Sequence, residues 1–317
     1  MAIEQTTTNA TPGATETGDT LAGFLFAISA YGLWGLMPLY MKLVAHIPAA
    51  EVVAHRALWS VPVAGAVLLV LRRTGDITAA LRSPRTLSMA ALTAGLISVN
   101  WGIYVWAIAV DRAVETALGY YINPLVTVVM GAVLLGEKLS RAQLAAVLLA
   151  CVAVIILTVD AGGLPWVSLA LAFSFACYGF LRKTLPIGPS QGFFLEVIIL
   201  SVPALGFATW LALSGQSHFT TDQPMDMLLL VLCGPVTAVP LILFAFGAKL
   251  LRYSSIGIMQ YVAPTMIAFI AVFVFQEPFG PARMAAFALI WIALGIFTWS
   301  MLKQSREASA AKAPAAH

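Results

Sequence analysis

The side chains of this chain that could do chemistry are few, and they lie inside apolar stretches. Asn100 and Tyr104 stand four residues apart, so a helix places both on one face, with Trp101 beside them. Tyr120, Asn123 and Thr127 share a face in the same way. Pro124 lies between them; it has no amide hydrogen and leaves a carbonyl one turn back free to bond elsewhere. Gln260 and Tyr261 precede Pro264, which is expected to break the backbone ladder of its own segment in the same manner. Trp34 and Tyr178 complete the set: Trp34 lies well inside its apolar run, while Tyr178 is nearer the inner end of its own and is either a cavity residue or part of the interfacial aromatic belt. Amides, phenols and indoles hydrogen-bond and stack, and neither action breaks a covalent bond. Together they suit a cavity that holds a flat polar molecule and lets it go unchanged.

Charge inside apolar segments is rarer still. Arg56 lies about a turn and a half inside its run. An ionised group there costs roughly 2.5–3.5 kcal/mol on insertion scales, so it needs a partner or a cavity. Arg56 is an electrostatic anchor for an anionic or dipolar ligand, or one half of an ion pair with Glu51, Glu115 or Glu196, or a side chain snorkelling outward. His55 and Glu196 occupy matching places 141 residues apart, and either could titrate in a proton-coupled cycle. Buried hydrogen bonding is the plainer role for both.

Catalysis is not legible. The chain has no His-Glu-x-x-His, no Gly-x-Ser-x-Gly and no phosphate-binding Gly-x-x-x-x-Gly-Lys run, and only four histidines. An enzyme, a metal centre and an organic cofactor are therefore not expected. The three cysteines, Cys151, Cys177 and Cys233, are scattered through apolar segments and read as small buried residues.

The elements that must position these residues follow from composition. The sequence is 61% hydrophobic and 10% charged. A soluble domain carries about a quarter charged residues, so this surface suits lipid rather than water. Apolar runs at 21–43, 50–71, 87–109, 116–135, 142–159, 166–182, 191–213, 226–248, 255–275 and 283–302 mostly approach the ~20 residues that cross a bilayer. Backbone groups in lipid must find partners within the segment, so each run is expected to be a helix. Of the 17 Lys and Arg residues, 13 fall in the loops and tail of one face once the N-terminus is set inside. Lys42, Arg112 and Arg283 face the other side, which places both termini in the cytoplasm. Net charge is too small to suggest nucleic acid. Residues 1–20 lack a basic n-region and read as a disordered tail, as does the Ala-rich stretch after Arg306.

The chain also repeats itself. Tyr121, Pro124 and Glu137 meet Tyr261, Pro264 and Glu277 at a spacing of 140. The first half covers 21–159, the second 166–302, joined by 160–165 and followed by a tail at 303–317. Five crossings per half turn the second copy upside down. Inverted halves around a midplane site are a physical basis for alternating access. Gly32, Gly35 and Gly179 would let helices approach closely near Trp34 and Tyr178. Glu137 and Glu277 are expected to cap or pair with charge in short links on opposite sides of the membrane.

Ala54-His55-Arg56-Ala57-Leu58-Trp59-Ser60, Asn100-Trp101, Leu118-Gly119-Tyr120-Tyr121-Ile122-Asn123-Pro124-Leu125, Gly136-Glu137-Lys138 and Gln260-Tyr261-Val262-Ala263-Pro264-Thr265 resemble the RarD branch of the EamA-type drug/metabolite transporters. The likeness spans about residues 21–302. It implies an all-α integral membrane protein of ten transmembrane helices in two inverted five-helix EamA repeats, a secondary transporter that exports or exchanges a small organic metabolite or drug. A non-transporting receptor or binding component of the same fold is the alternative. The partners are then a small organic solute and the lipid bilayer, and a monomer and a homodimer both stay open.

Overall fold

The computed structural model describes residues 20–70, 72, 74–135, 139–251, 256 and 259–312, and among these every regular element is helical. In chain order they are α1 (Leu21–Leu43), α2 (Ala49–Val70), the short α3 (Gly75–Leu81), α4 (Pro84–Ala109), α5 (Ala113–Leu135) and α6 (Arg141–Ala161). There follow α7 (Trp166–Thr184), α8 (Pro189–Ser214), α9 (Pro224–Leu250), α10 (Val262–Phe269) and α11 (Pro281–Lys312). Eight of these are long and apolar enough to cross a bilayer, while α7 and α10 are shorter apolar helices. Within the ninth expected run, α10 covers Val262–Phe269 and gives way to a π-helical turn at Ile270–Val274, while 255 and 257–258 lie outside the described residues.

Local chemistry sets the ends. The Thr20 hydroxyl accepts the Gly23 amide at 3.0 Å and caps α1, and Ser83 does the same for α4. Ser140 and Gln143 close a reciprocal capping box on α6. Gly162 and Gly215 stop α6 and α8 at φ 65° and 69°, the left-handed conformation that a side chain resists. Prolines open α4, α8, α9 and α11, where a missing amide hydrogen is harmless. The expected disordered stretch after Arg306 is helical as far as Lys312, because Ser-Arg-Glu-Ala-Ser-Ala-Ala-Lys continues a sequence of good helix formers. Residues 1–19 and 313–317 lie outside the described residues.

The bundle is dressed for lipid. Leu148, Ile155, Val202, Leu205, Trp210 and Trp299 are all exposed, and α6 and α8 bury only 22% and 17% of their apolar windows. Water would not tolerate such faces, so they mark the outside of a membrane bundle. Inside, α1 packs on α9 and α10, and α2 on α8 and α9. In turn α4 packs on α7 and α8, α5 on α7 and α10, and α6 on α11. Met41, Tyr104, Tyr121, Leu171, Leu230, Ile267 and Ile290 are fully or nearly buried where these helices meet.

Glycines sit at several close helix crossings. A β-carbon on Gly234 of α9 would collide with the Trp59 carbonyl of α2, and one on Gly119 of α5 would come within 2.8 Å of the Ser168 carbonyl of α7. Of the three glycines expected to do this, Gly35 would meet Met266, whereas Gly32 and Gly179 face open space. Their apolar neighbourhood gave no sign of which way each points.

Candidate functional site

Arg56 and, one turn further along α2, Ser60 point into the middle of the bundle. The Arg56 side chain is buried, its residue 3% exposed. Its Nε donates to Thr237 Oγ1 of α9 at 3.2 Å, and its guanidinium carbon lies 4.5 Å from the centroid of the Trp101 ring on α4. That distance is a cation–π contact, stronger where water is excluded. Tyr40 of α1, Tyr104 of α4, Tyr120 of α5 and Cys233 of α9 are close enough to act on it electrostatically. Tyr40 donates to the Leu229 carbonyl and lies 3.4 Å from Cys233 Sγ. Thr237 donates its own hydroxyl hydrogen to the Cys233 carbonyl at 2.7 Å. Among the described residues, three buried polar atoms here have no hydrogen-bond partner: Arg56 Nη1, Ser60 Oγ and the Tyr104 hydroxyl.

The amides read from the sequence border this centre and hold it to α7. Asn100 Nδ2 donates to the Leu171 carbonyl at 3.1 Å and to Ser174 Oγ at 2.9 Å, and Asn123 Nδ2 donates to the Ala172 carbonyl at 3.0 Å. The Tyr120 hydroxyl reaches Asn100 Oδ1 at 3.5 Å, and the Tyr104 and Tyr120 rings lie 6.0 Å apart. Both amide nitrogens are thus occupied by backbone. Pro124 sits mid-helix in α5, as the sequence implied.

The remaining sequence candidates fall into separate groups. Trp34 packs its ring against Tyr31 and Phe244. Tyr178 donates to Glu196 Oε2 at 3.1 Å, and Glu196 Oε1 is ion-paired with Arg182 at 3.3 Å. Phe175 bridges the Tyr120 and Tyr178 rings at 6.1 and 5.9 Å, so an aromatic row links Glu196 to the centre. His55 Nδ1 accepts from Trp59 Nε1 at 3.1 Å, which puts the proton of the neutral ring on Nε2, and the ring stacks on Phe219. The structure does not bring His55 and Glu196 together. Tyr261 stacks on Tyr121, and Gln260 precedes it in the turn before α10. Pro264 stands in the first turn of α10, whereas Pro124 stands in the interior of α5.

The ion pairs proposed for Arg56 are not made. Glu51 accepts from Ser217 Oγ and the His218 amide and pairs with His218 Nδ1 at 2.7 Å. Glu115 pairs with Arg112 at 2.6 Å, and Glu196 with Arg182. Nor does Arg56 snorkel, since its head is held by Thr237 and Trp101 in the core.

Sequence reasoning missed Tyr40, Ser60, Cys233 and Thr237. Ser60 was within reach, being four residues after Arg56. The others come from α1 and α9, far off in sequence, and no spacing signals them. Of the three cysteines expected to be buried, Cys233 is, though among polar groups, whereas Cys177 is half-buried and Cys151 is exposed on the outer face of α6.

One end of the bundle, that of the loops at 44–48, 110–112, 162–165, 215–223 and 275–280, is closed by polar ties. Glu277 Oε1 accepts the Ala113 amide at 2.6 Å and Oε2 the Val114 amide at 2.9 Å, capping α5 from across the chain. Burial pushes the Glu277 carboxyl up, while those two amides and Arg283 pull it back. His46 pairs with Asp226 at 2.9 Å, Lys42 with Asp111 at 2.5 Å, and Trp106 packs on Trp166. The capping expected of Glu277 is made; its counterpart Glu137 lies outside the described residues.

A lipid-clad helical bundle with an aromatic, hydrogen-bonding centre around one buried charge is a multi-pass membrane protein built to carry small molecules. The model of the EamA-like transporter family matches residues 21–159. "Protein RarD" of Streptomyces exfoliatus is 45% identical over 91% of this chain and 91% of its own. The "uncharacterized transporter YojE" of Bacillus subtilis is 40% identical over 91% of this chain and 97% of its own. A crystal structure superposes with a TM-score of 0.57 at 20% identity, covering 89% of this chain and 98% of that one, a likeness of fold. The chain belongs to the EamA-like transporter family, in its RarD branch, and is a secondary transporter of small molecules rather than an enzyme.

Proposed function

We propose that the protein moves a small organic solute across the bacterial inner membrane by alternating access, two inverted halves (21–159 and 166–302) rocking about the Arg56 centre. The observation that carries this is the pattern of helix packing. Exchanging α1 with α7, α2 with α8, α4 with α9, α5 with α10 and α6 with α11 turns the contact of α1 with α9 into that of α7 with α4. It likewise turns α5–α7 into α10–α1 and α2–α9 into α8–α4, all of which occur. The contacts α2–α8, α5–α10 and α6–α11 map onto themselves. That the main pairings map onto one another supports two copies of one five-helix unit, with α7 and α10 as the two shorter crossings that make ten.

Trp101, Tyr104, Tyr120 and Asn123 line the solute's path with Arg56, and Asn100 fixes the α4–α7 wall. Trp34, Tyr178, Gln260 and Tyr261 lie along the routes to either side. His55 and Glu196 are the candidates for proton coupling. The end closed by Glu277, His46–Asp226 and Glu51–His218 joins the first half to the second at three places. It is the periplasmic end if both termini are cytoplasmic, which places the described conformation with that side shut. A reporter active only outside the cytoplasm, fused after His317, should be silent; an active fusion would reverse the orientation. Cysteines placed at the two ends of the path should label reciprocally with and without solute. Labelling from both ends at once, indifferent to solute, would mark a channel, and no change at either end would favour a binding component without flux.

A further inference from the structure

The Arg56 centre is short of one negative charge, and that shortage identifies what fills it. Two half-buried arginines of this chain each face a carboxylate: Arg182 faces Glu196 at 3.3 Å, and Arg112 faces Glu115 at 2.6 Å. Arg56 is more deeply buried than either of these arginines and faces no carboxylate among the described residues. All three carboxylates that could have reached it, Glu51, Glu115 and Glu196, are committed to His218, Arg112 and Arg182. The groups that do act on it are three phenols and a thiol, which are uncharged near neutral pH. A guanidinium stays protonated in proteins, so the charge remains.

We infer that Arg56 is the receptor for a single negative charge on the transported solute, which is therefore a small organic monoanion such as a carboxylate. This rests on the transport reading above and gives it a substrate class. The unpartnered Nη1 of Arg56 is free to donate to one oxygen of the anion. The Tyr104 hydroxyl and Ser60 Oγ, also without partners, are the donors available to the second oxygen. Trp101 covers one face of the guanidinium and keeps it planar to the ligand, and Tyr120 offers a ring for an unsaturated body. One anion neutralises the site. A second charge on the same solute would meet no second cation among the described residues of this centre, so dianions are disfavoured. A cation would meet Arg56 as a like charge. The anion then passes the middle of the bundle beside a fixed counter-charge, which lowers the cost of carrying it.

The test uses three probes of one shape and different charge: benzoate, benzamide and benzylamine, added to the purified full-length chain in detergent. A ligand that binds the folded state raises the melting temperature by mass action. Benzoate should raise it in a dose-dependent way beyond an equal concentration of sodium chloride, and the other two should not. Arg56→Met should abolish the benzoate shift while leaving the ligand-free melting temperature unchanged or higher, because an unpaired buried charge has been removed. Arg56→Lys should keep a weaker shift, and Tyr104→Phe should weaken apparent benzoate affinity by about threefold to tenfold. If Arg56→Met cannot be recovered, the Lys and Phe variants decide: unaltered benzoate affinity in both overturns the assignment. A benzoate shift that survives in Arg56→Met overturns it too, as does a benzamide or benzylamine shift of equal size. Those last results would still leave a solute-binding transporter, since neutral or cationic binding contradicts only the charge assigned here. No shift with any of the three also overturns it, and reciprocal labelling of the two ends then judges transport separately.

Discussion

Removing the Glu277 carboxylate should open the closed end of the bundle. Its two oxygens accept the Ala113 and Val114 amides at 2.6 and 2.9 Å, from the link between the last π-helical turn and α11 to the start of α5. The pair of bonds is charge-assisted and completes the N-terminus of a helix, where negative charge is also favoured by the helix dipole. Loss of a helix cap costs about 0.5–2 kcal/mol. Water can replace part of the lost bonding at a helix end, so about 1–2 kcal/mol is the net change for Glu277→Ala. That is a shift of roughly 5–30-fold in the population with this end open. Thr116 reports it, being fully buried one turn inside the cap. In a chain with Cys151, Cys177 and Cys233 replaced by Ala, a Thr116→Cys thiol should react with a membrane-impermeant maleimide about 5–30 times faster when Glu277 is Ala. A second thiol at Thr86, buried at the other end, should not speed up. Equal acceleration at both positions would mean general loosening. No change at position 116, with melting temperature intact, would refute the latch.

The same carboxyl gives a pH signature. Burial holds its pKa above that of an unfolded carboxylate, so the folded chain binds this proton more tightly. Its contribution to stability is complete below the ordinary carboxylate range and is lost as pH rises through the raised value. The melting temperature of wild type minus that of Glu277→Gln should therefore fall as pH rises from the ordinary carboxylate range, about 4, through the raised value; a flat or rising difference would contradict the sign. Asn123→Leu removes the bond to the Ala172 carbonyl and loosens α5 from α7, costing about 1–3 kcal/mol. Chemical denaturation should show that loss; an unchanged midpoint would mean the carbonyl is satisfied without Asn123. Gly234→Ala forces a β-carbon into the Trp59 carbonyl and should cost about 1–3 kcal/mol through separation of α2 from α9. Wild-type melting behaviour of that variant would show that the crossing has room to relax.

Much of the architecture was legible because lipid leaves few choices. Apolar runs had to be helices, and the helix limits at 21–43 and 166 coincide with the expected ones. The π-helical turn and early end of α10 were not legible, since a period of five bonds leaves no mark on an apolar sequence. Pro264 shows the limit of motif reading: beside Pro124 it has the same Tyr-x-x-Pro context, yet one proline lies in a helix interior and the other in a first turn. For the site, Arg56 and Trp101 were visible as costly or bulky groups out of place in a membrane. Their neighbours Thr237, Cys233 and Tyr40 were not, because small polar residues in apolar runs are common and only tertiary packing assembles them. The choice between anchor and ion pair for Arg56 could not be made from spacing. It depended on where Glu51, Glu115 and Glu196 found their partners, which is a property of loops and helix ends brought together in three dimensions.

Alternating access by two halves is tested most directly by distances measured across both ends of one molecule. Spin labels at Val110 and Gln216 report the end closed by Glu277, and labels at Leu81 and Ile187 report the opposite end. In lipid nanodiscs each pair should show two distance populations, and the long distance at one end should accompany the short distance at the other. Solute or Glu277→Ala should then shift the two pairs in opposite directions. Single, unmoving distances at both ends, or lengthening at both together, would contradict the rocking of two halves about the Arg56 centre.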